Sequence, residues 1–354
     1  MAPTELVNDV PMQGDGFYSS NSGLQRAAML EALPLLAAAA AKTKVSSRAF
    51  TAIEYGSAHG SNSYHPFSTI LESLPTPPEE AHIIFNDRPV NDFVTLSKNL
   101  NNMTFPLPAT STLLTSMAPK SFYSAVAPSG SIDIGFSLAA LHHLDQVTPV
   151  PDGVMPPHEE RQAEFRAQAH TDLRVFLGHR AREIVPGGSL VLSFVGDASC
   201  GEENYTGPVD ACRTALIDML GAGLLPPNIV SAFEVPTYNR TLGDVRKSLA
   251  EVSGQWAVEE VFERRVLHPA VKELRERKER GEEGASEWYA DTVADWLMAV
   301  VSGYFVKAVV YLGLRDKVDE LLEEWVRRTR KVFLEKHRDE EVYCWFVYGR
   351  LTRL

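Results

Sequence analysis

Hydrophobic positions along the chain follow two alternating patterns. Short runs rich in β-branched and aromatic residues, each ended by small or polar residues, predict strands. Longer stretches of strong helix formers separate most of these runs and predict helices, the first over residues 24–42 with an interruption at Pro34. The predicted strands cover residues 50–56, 81–87, 112–118, 131–137, 188–196, 227–235 and 342–351.

Alternation of strands and helices predicts an α/β fold of the Rossmann-like, doubly wound type, with a mostly parallel seven-stranded sheet. The roughly 100 residues between the last two predicted strands show mainly helical patterns and are too long for a simple connection. They predict a mainly helical cap over the active site. The resulting division is an N-terminal lid segment at 1–25, a core at 26–234, the cap at 235–340 and a last core strand at 341–354.

The composition of the chain excludes some classes of function. With 354 residues, 44% of them hydrophobic, the chain can bury a large core, and its net charge of -12 disfavours a nucleic-acid partner. Three widely spaced cysteines indicate neither a disulfide framework nor a zinc site, so no metal is predicted. The first residues lack the basic start and apolar core of a secretory signal, which favours a cytoplasmic protein. The apolar stretch at 293–314 contains Asp295 and Lys307, and it predicts a cap or core helix rather than a membrane span.

Two acidic positions at strand ends predict a nucleoside site. Residues 54–62, EYGSAHGSN, follow a predicted strand with small residues, which let a cofactor approach the backbone. The segment alone is weak evidence, since any tight strand-to-helix turn has this composition, and it lacks the GxGxxG spacing of dinucleotide sites. Asp87 at the end of the next strand can accept both hydroxyl hydrogens of a ribose. Together they favour a cofactor that contains a nucleoside.

Four segments resemble one family in order and approximate spacing. They are FYSSNSGLQ from Phe17, EYGSAHGSN from Glu54, FNDRPVNDF from Phe85 and FSLAALHHL from Phe136. They are similar to motifs of the SABATH family of S-adenosylmethionine-dependent carboxyl methyltransferases, whose own patterns include DLGCSSGPN, LNDLPGNDF and SxxYSLHWL. The resemblance spans nearly the whole chain, and it implies the S-adenosylmethionine cofactor, a small-molecule carboxylic acid substrate and a homodimer.

The resemblance also assigns cofactor-binding residues. Glu54 and Asn62 would hold the methionine end of the cofactor, with Glu54 in place of the family's aspartate, and Gly56 is a further cofactor-binding residue. Asp87 would hold the ribose, and Arg88 stands where the family has a leucine beside it. The set is completed by Ser121 and Phe122 at the adenosine end and by Tyr18 and Ser22, which would close over the cofactor from the N-terminal side.

Substrate residues follow from the same match. Gln25 corresponds to the family's glutamine donor, His142 to its histidine, and His143 replaces the tryptophan donor. Ala139 replaces a tyrosine, so the pocket should differ in shape from that of salicylate or benzoate enzymes. Tyr238, after the predicted strand 227–235, is a further candidate for the pocket wall, although simple packing is the commoner role for an aromatic there. Gln25 and His143 are the candidate catalytic residues, and an imidazole can donate a hydrogen bond whether or not it is protonated.

Methyl transfer to a carboxylate needs no general base, because a carboxylic acid with a pKa of about 4 is already an anion at neutral pH. The leading hypothesis is therefore esterification of a small aromatic or aliphatic acid, which has one or two carboxylates. Alternatives are N-methylation of a heterocycle, a cofactor-retaining binding protein without turnover, and a nicotinamide oxidoreductase. For His142 and His143, a purely structural pair is the competing interpretation. The tryptophans Trp256, Trp288 and Trp296 are candidate walls in the cap.

Overall fold

The computed structural model describes residues 10, 20–44, 49–148, 150, 154 and 156–354. In chain order, its helices and strands are α1 (Gly23–Ala41), β1 (Phe50–Tyr55), α2 (Tyr64–Ser73), β2 (Glu80–Asp87), α3 (Phe93–Leu100), β3 (Thr112–Pro119), β4 (Ile132–Leu138), α4 (His158–Glu183), β5 (Ile184–Val195), α5 (Thr206–Gly221), α6 (Ile229–Ala232), α7 (Leu242–Ala250), β6 (Trp256–Leu267), α8 (Pro269–Glu279), α9 (Ala285–Tyr311), α10 (Val318–Lys336) and β7 (Tyr343–Arg353).

The strands form one seven-stranded sheet in the order β3-β2-β1-β4-β5-β7-β6. Strands β1 to β5 pair in parallel, and β7 runs antiparallel between β5 and β6. The predicted doubly wound, mostly parallel seven-stranded fold is confirmed. The strand order reverses between β1 and β4, and in such sheets ligands bind beyond the carboxyl ends of the strands at this point.

Helices cover both faces of the sheet. Every residue of β1 is buried, as is β4 up to Leu138, which fits parallel strands covered on both sides. On one face, buried apolar side chains of α1, α2 and α9, among them Leu36, Phe67 and Tyr289, pack against the sheet. The opposite layer contains Leu173 and Phe176 of α4.

Two local predictions from the sequence are wrong. Residues 227–235 do not form a sheet strand; they contain the short helix α6, and Phe233 packs edge-on against Phe305 and Trp325 of the helical layer. The seventh strand of the sheet is instead β6, which pairs with β7. It lies within residues 235–340, the range predicted as the cap. Helix α1 is not interrupted at Pro34, because its buried alanine and leucine face stabilises the helix through that point. The domain division itself stays a prediction.

Two helices, α1 and α9, are long and apolar enough to cross a membrane by length and composition. Of the most apolar 18-residue stretch of each helix, 44% is buried inside the fold in α1 and 61% in α9. Both helices contribute to the apolar layer on the sheet. Core helices of this kind pass the same test, so the two helices are weak evidence for membrane insertion.

Candidate active site

The loop after β1 has a backbone that leaves room for a ligand. Gly56 and Gly60 have φ angles of +88° and +75°, a region that glycine adopts without strain. A Cβ on Gly56 would lie 2.6 Å from the Cβ of Ala140. The amides of Gly56 and Ser57 both donate to the carbonyl oxygen of Asn86, at 2.8 and 3.0 Å. Strand β2 thereby holds the start of this loop.

Side-chain amides fix the rest of the loop. Asn91 Nδ2 donates to the carbonyl oxygen of Ala58 at 2.8 Å, and Asn99 Nδ2 donates to that of His59 at 2.7 Å. Asn62 Nδ2 donates to Ser22 Oγ at 3.2 Å, which connects the end of the loop to the start of α1. Ser22 and Asn62, which are both predicted to bind the cofactor, therefore lie together.

Asp87 lies at the end of β2, beside this loop. Its Oδ2 accepts a hydrogen bond from the amide of Ala58 and its Oδ1 accepts one from the amide of Arg88, both at 2.7 Å. Burial raises the pKa of Asp87, and these two hydrogen bonds oppose the shift. Each oxygen keeps a second lone pair, so the oriented carboxylate suits a pair of ribose hydroxyls.

Glu54 is a buried carboxyl group at the end of β1. Only 6% of the residue is exposed, and its Oε2 has no hydrogen-bond partner among the described residues. Desolvation raises the pKa of Glu54 to about 8, and a hydrogen bond with Ser63 opposes this shift, so neutral pH favours the protonated carboxyl. It borders a cavity of about 50 Å³ that Asn62, Met29 and the 56–61 loop also line. A cationic ligand group would satisfy the unpartnered oxygen.

A second cavity of about 130 Å³ adjoins the first. The two share Gln25, Gly56, Ala58, Leu138 and Ala139 in their walls. The second cavity is also lined by Asp87, Arg88, Phe122, His142, His143, Val300 and Tyr304. A molecule in one compartment would therefore touch a molecule in the other. We call the first the cofactor compartment and the second the acceptor compartment.

Gln25 is oriented by helix α9. The indole N–H of Trp296 on α9 donates to Gln25 Oε1 at 3.1 Å. This bond fixes the carbonyl side of the amide, so the NH₂ group remains as the donor of Gln25. Of the three tryptophans predicted as possible walls, Trp296 lies behind this residue, whereas Trp256 donates to the carbonyl oxygen of Leu177 and Trp288 lies under Arg277.

His142 and His143 lie side by side with ring centroids 4.3 Å apart. Burial lowers the pKa of His143 to about 4, and the charge of Arg88 adds to the shift. Burial also lowers the pKa of His142 well below its usual value. Burial therefore favours the neutral form of both rings at physiological pH. His143 can contribute a neutral hydrogen bond there rather than a positive charge.

The histidine segment is held by its neighbours. Arg240, which is 1% exposed, donates to the carbonyl oxygen of Leu141, and the Tyr123 hydroxyl donates to that of His143 at 2.7 Å. The amide of Tyr238 donates to the carbonyl oxygen of His142 at 2.9 Å. These bonds fix the backbone from both sides, so the two imidazoles are presented on a rigid support.

The segment from Ser121 to Val126 is anchored by a buried ion pair. Arg180 pairs with Glu183 at 2.9 Å and donates to the carbonyl oxygens of Phe122 and Ser124, both at 2.8 Å. Glu183 in turn accepts from the amide of Val126. Phe122 consequently faces the acceptor compartment, whereas the Ser121 hydroxyl accepts from the amide of Tyr123 at 3.2 Å.

Some predicted site residues are placed elsewhere. The side chain of Tyr238 lies in a separate cavity with Arg166 and Asp244, between α4 and α7, and packs beside Leu144. It is therefore not among the described residues that line the acceptor compartment. Tyr18 lies outside the described residues. Sequence reasoning missed Val300 and Tyr304 of α9, since both lie in an apolar stretch whose sequence does not mark which face meets the cleft.

Comparisons with known proteins agree with this geometry. Residues 8–349 match the family described as SAM dependent carboxyl methyltransferase. The chain is 60% identical over the full length of both chains to O-methyltransferase acrG of Aspergillus aculeatus, and 50% identical, again over both full lengths, to methyltransferase LUC1 of a Fusarium species. The solved structure of loganic acid methyltransferase with S-adenosylhomocysteine has a TM-score of 0.73 at 21% identity, over 97% of this chain and 98% of that one.

The fold and the paired compartments define a Rossmann-like methyltransferase that uses S-adenosylmethionine. The chain belongs to the family of S-adenosylmethionine-dependent carboxyl methyltransferases, of SABATH type. The resemblance and the cofactor predicted from the motifs are confirmed. Residues of the two adjoining compartments fit that molecule, because the buried carboxyl of Glu54 suits its ammonium group and the oriented carboxylate of Asp87 suits its ribose.

Proposed function

We propose that this enzyme converts a small aromatic or aliphatic carboxylic acid into its methyl ester, by in-line transfer without a general base. The observation that carries the proposal is the shared wall of the two compartments, where Gln25 and Ala139 border both. Bound S-adenosylmethionine supplies an electrophilic methyl group. The names of relatives such as indole-3-acetate O-methyltransferase 1 of Oryza sativa, 28% identical over 70% of this chain, are consistent with an acid as acceptor.

In this proposal three groups of residues contact the cofactor, which extends from the cofactor compartment along Asp87 and Phe122 of the adjoining compartment. Glu54, Gly56 and Asn62 hold the methionine end, Asp87 holds the ribose, and Ser121 and Phe122 border the adenosine end. Ser22, together with Tyr18, closes the N-terminal side.

The acceptor compartment supplies donors and apolar walls. Gln25, held by Trp296, and neutral His143 aim the carboxylate, while His142, Ala139 and Tyr304 shape the space around it. Positioning and the exclusion of water can contribute up to roughly 7–11 kcal/mol for well-oriented reactants. Because the acid is already ionised, no residue has to remove a proton.

The direct test is a radiolabelled methyl-transfer screen over aromatic and aliphatic acids, with azaheterocycles as the competing acceptors. Formation of an alkali-labile methyl ester is the expected result. Transfer to ring nitrogen alone would instead establish the N-methyltransferase alternative.

We further propose that the enzyme is a cytoplasmic homodimer. The dimer is proposed from the similarity of this chain to the family. Light scattering of the purified protein should give twice the 39.1 kDa mass of one chain, and a single-chain mass would contradict the proposal.

Replacing His143 by alanine should lower kcat/KM for the accepted acid by about 10-fold or more. The loss of a hydrogen bond to a charged group costs about 1.5–3 kcal/mol, which gives this magnitude. Steady-state kinetics measures it, with His158→Ala on the exposed start of α4 as the matched control. Unchanged kinetics in the His143 variant would remove this residue from the site.

Binding of S-adenosylhomocysteine should strengthen as the pH rises from about 6 to about 7.5. Free enzyme holds Glu54 protonated below its pKa of about 8, whereas a ligand ammonium beside it favours the carboxylate. Binding should therefore release a proton, and affinity can rise by up to about tenfold per pH unit until Glu54 is ionised without ligand. Calorimetry in buffers of different ionisation enthalpy measures the release. The Glu54→Gln variant should bind more weakly and without this pH dependence, and an equal slope in both proteins would contradict the assignment.

A further inference from the structure

The acceptor compartment carries one permanent positive charge among its described lining residues. Among these described residues, Arg88 is the single lysine or arginine and Asp87 the single acid. Arg88 extends from the end of β2, and its Nη2 lies 3.5 Å from the carbonyl oxygen of Leu144, the residue that follows His143. The guanidinium therefore lies beside the histidine segment rather than at the methionine end of the cleft.

The influence of this charge extends across the compartment. It contributes to the lowered pKa of His143, and it opposes the burial that raises the pKa of Tyr304 to about 12. His143 comes from the loop after β4 and Tyr304 from the cap helix α9. An anion bound between these two side chains would experience the attraction of Arg88.

Charge changes during the reaction decide which anion Arg88 should hold. The reacting carboxylate loses its negative charge as it becomes an ester, so a cation paired with it stabilises the ground state more than the transition state. A second anionic group keeps its charge throughout, and a cation paired with that group stabilises both states equally. Neutral Gln25 and His143 suit the reacting carboxylate, and Arg88 suits an anion that does not react.

We propose that Arg88 is a specificity-determining residue that binds a second carboxylate of the substrate, so that the substrate is a dicarboxylic acid released as its monomethyl ester. This inference rests on the proposed function. One oxygen of the reacting carboxylate forms a bond to the methyl carbon, the bond between that carbon and sulfur breaks, and its electron pair stays on sulfur. No proton is transferred, and the other carboxylate leaves unchanged.

The test compares dicarboxylic acids with their half-amides in three proteins. Glutaric, adipic and homophthalic acid are each assayed beside the corresponding monoamide, which keeps the shape but removes the second charge. Wild type should prefer the diacid by about 10-fold or more in kcat/KM, mainly through KM, as expected for a charge-assisted hydrogen bond. Arg88→Leu should abolish the preference, because KM for the diacid should rise to that for the monoamide. Arg88→Lys should retain part of the preference, since it keeps the charge.

Binding of S-adenosylhomocysteine to Arg88→Leu, measured by calorimetry, should stay within about twofold of wild type, because a substrate contact does not hold the cofactor. A loss of cofactor affinity with an unchanged ratio of diacid to monoamide would place Arg88 at the adenine and overturn the proposal. Wild type that methylates monoacids and half-amides but gains nothing from a second carboxylate would overturn it while carboxyl methylation stands. Methylation of azaheterocycles alone would overturn the proposed function as well.

Discussion

Replacing Asp87 by asparagine is expected to weaken S-adenosylhomocysteine binding by about 30-fold to about 1000-fold. Both carboxylate oxygens accept backbone N–H groups, so the asparagine NH₂ must face one of these donors, from either Ala58 or Arg88. The variant also loses charge-assisted hydrogen bonds to the ribose. Together these losses amount to about 2–4 kcal/mol, which corresponds to the stated range.

The matched control for this variant is Asp92→Asn. Asp92 is the N-cap of α3, where its Oδ1 accepts from the amide of Thr95 at 2.9 Å. Asparagine is an equally good N-cap, so this change removes one negative charge close by in sequence while the helix is preserved. Calorimetry should show wild-type affinity for the control. If Asp87→Asn also bound the ligand within about threefold of wild type, the ribose assignment would be wrong.

The Gly56→Ala variant is expected to lose about 2–5 kcal/mol of stability and to bind S-adenosylhomocysteine poorly. An alanine at φ +88° costs about 1–2 kcal/mol in backbone strain, and its Cβ would lie 2.6 Å from that of Ala140. Overpacking of this kind adds about 1–3 kcal/mol. Relief of the contact would move the loop that borders both compartments, so affinity should fall together with the melting temperature.

The control variant Gly187→Ala separates the cost of backbone strain from the cost of overpacking. Gly187 has a similar φ of +81°, but a Cβ there would meet nothing within 4 Å. This control should therefore show the backbone strain alone, with a smaller fall in Tm and unchanged ligand affinity. Equal falls in both variants, with ligand affinity preserved in Gly56→Ala, would show that the close approach to Ala140 has no role in the site.

Most of the sheet could be predicted from the sequence because its central strands are short, apolar and bounded by small residues. Strands β1, β2 and β4 were predicted for this reason, and the glycine loop after β1 was predicted from its position at a strand end. Strand β6 was missed because its charged residues, such as Glu260 and Arg264, resemble a solvated helix. Its pairing with β7 depends on residues far away in the chain.

The acceptor compartment was harder to predict because it depends on side-chain direction and burial. Gln25 and His143 were identified by resemblance, but the bond from Trp296 to Gln25 joins residues 271 positions apart. The orientation of Arg88 toward the histidine segment could not be deduced from its place beside the ribose acid. Nor could the neutral state of His143, since it results from desolvation in the folded protein.

The antiparallel strand β7 has a consequence for biosynthesis. It is formed by residues 343–353 and provides the pairing partner that connects β6 to the rest of the sheet. A nascent polypeptide on the ribosome could form the early strands and the glycine loop, yet it would lack both the cap helix that orients Gln25 and this final strand. Methyl-transfer competence should therefore arise only after residues 343–353 have been synthesised, and products truncated before β7 should lack activity.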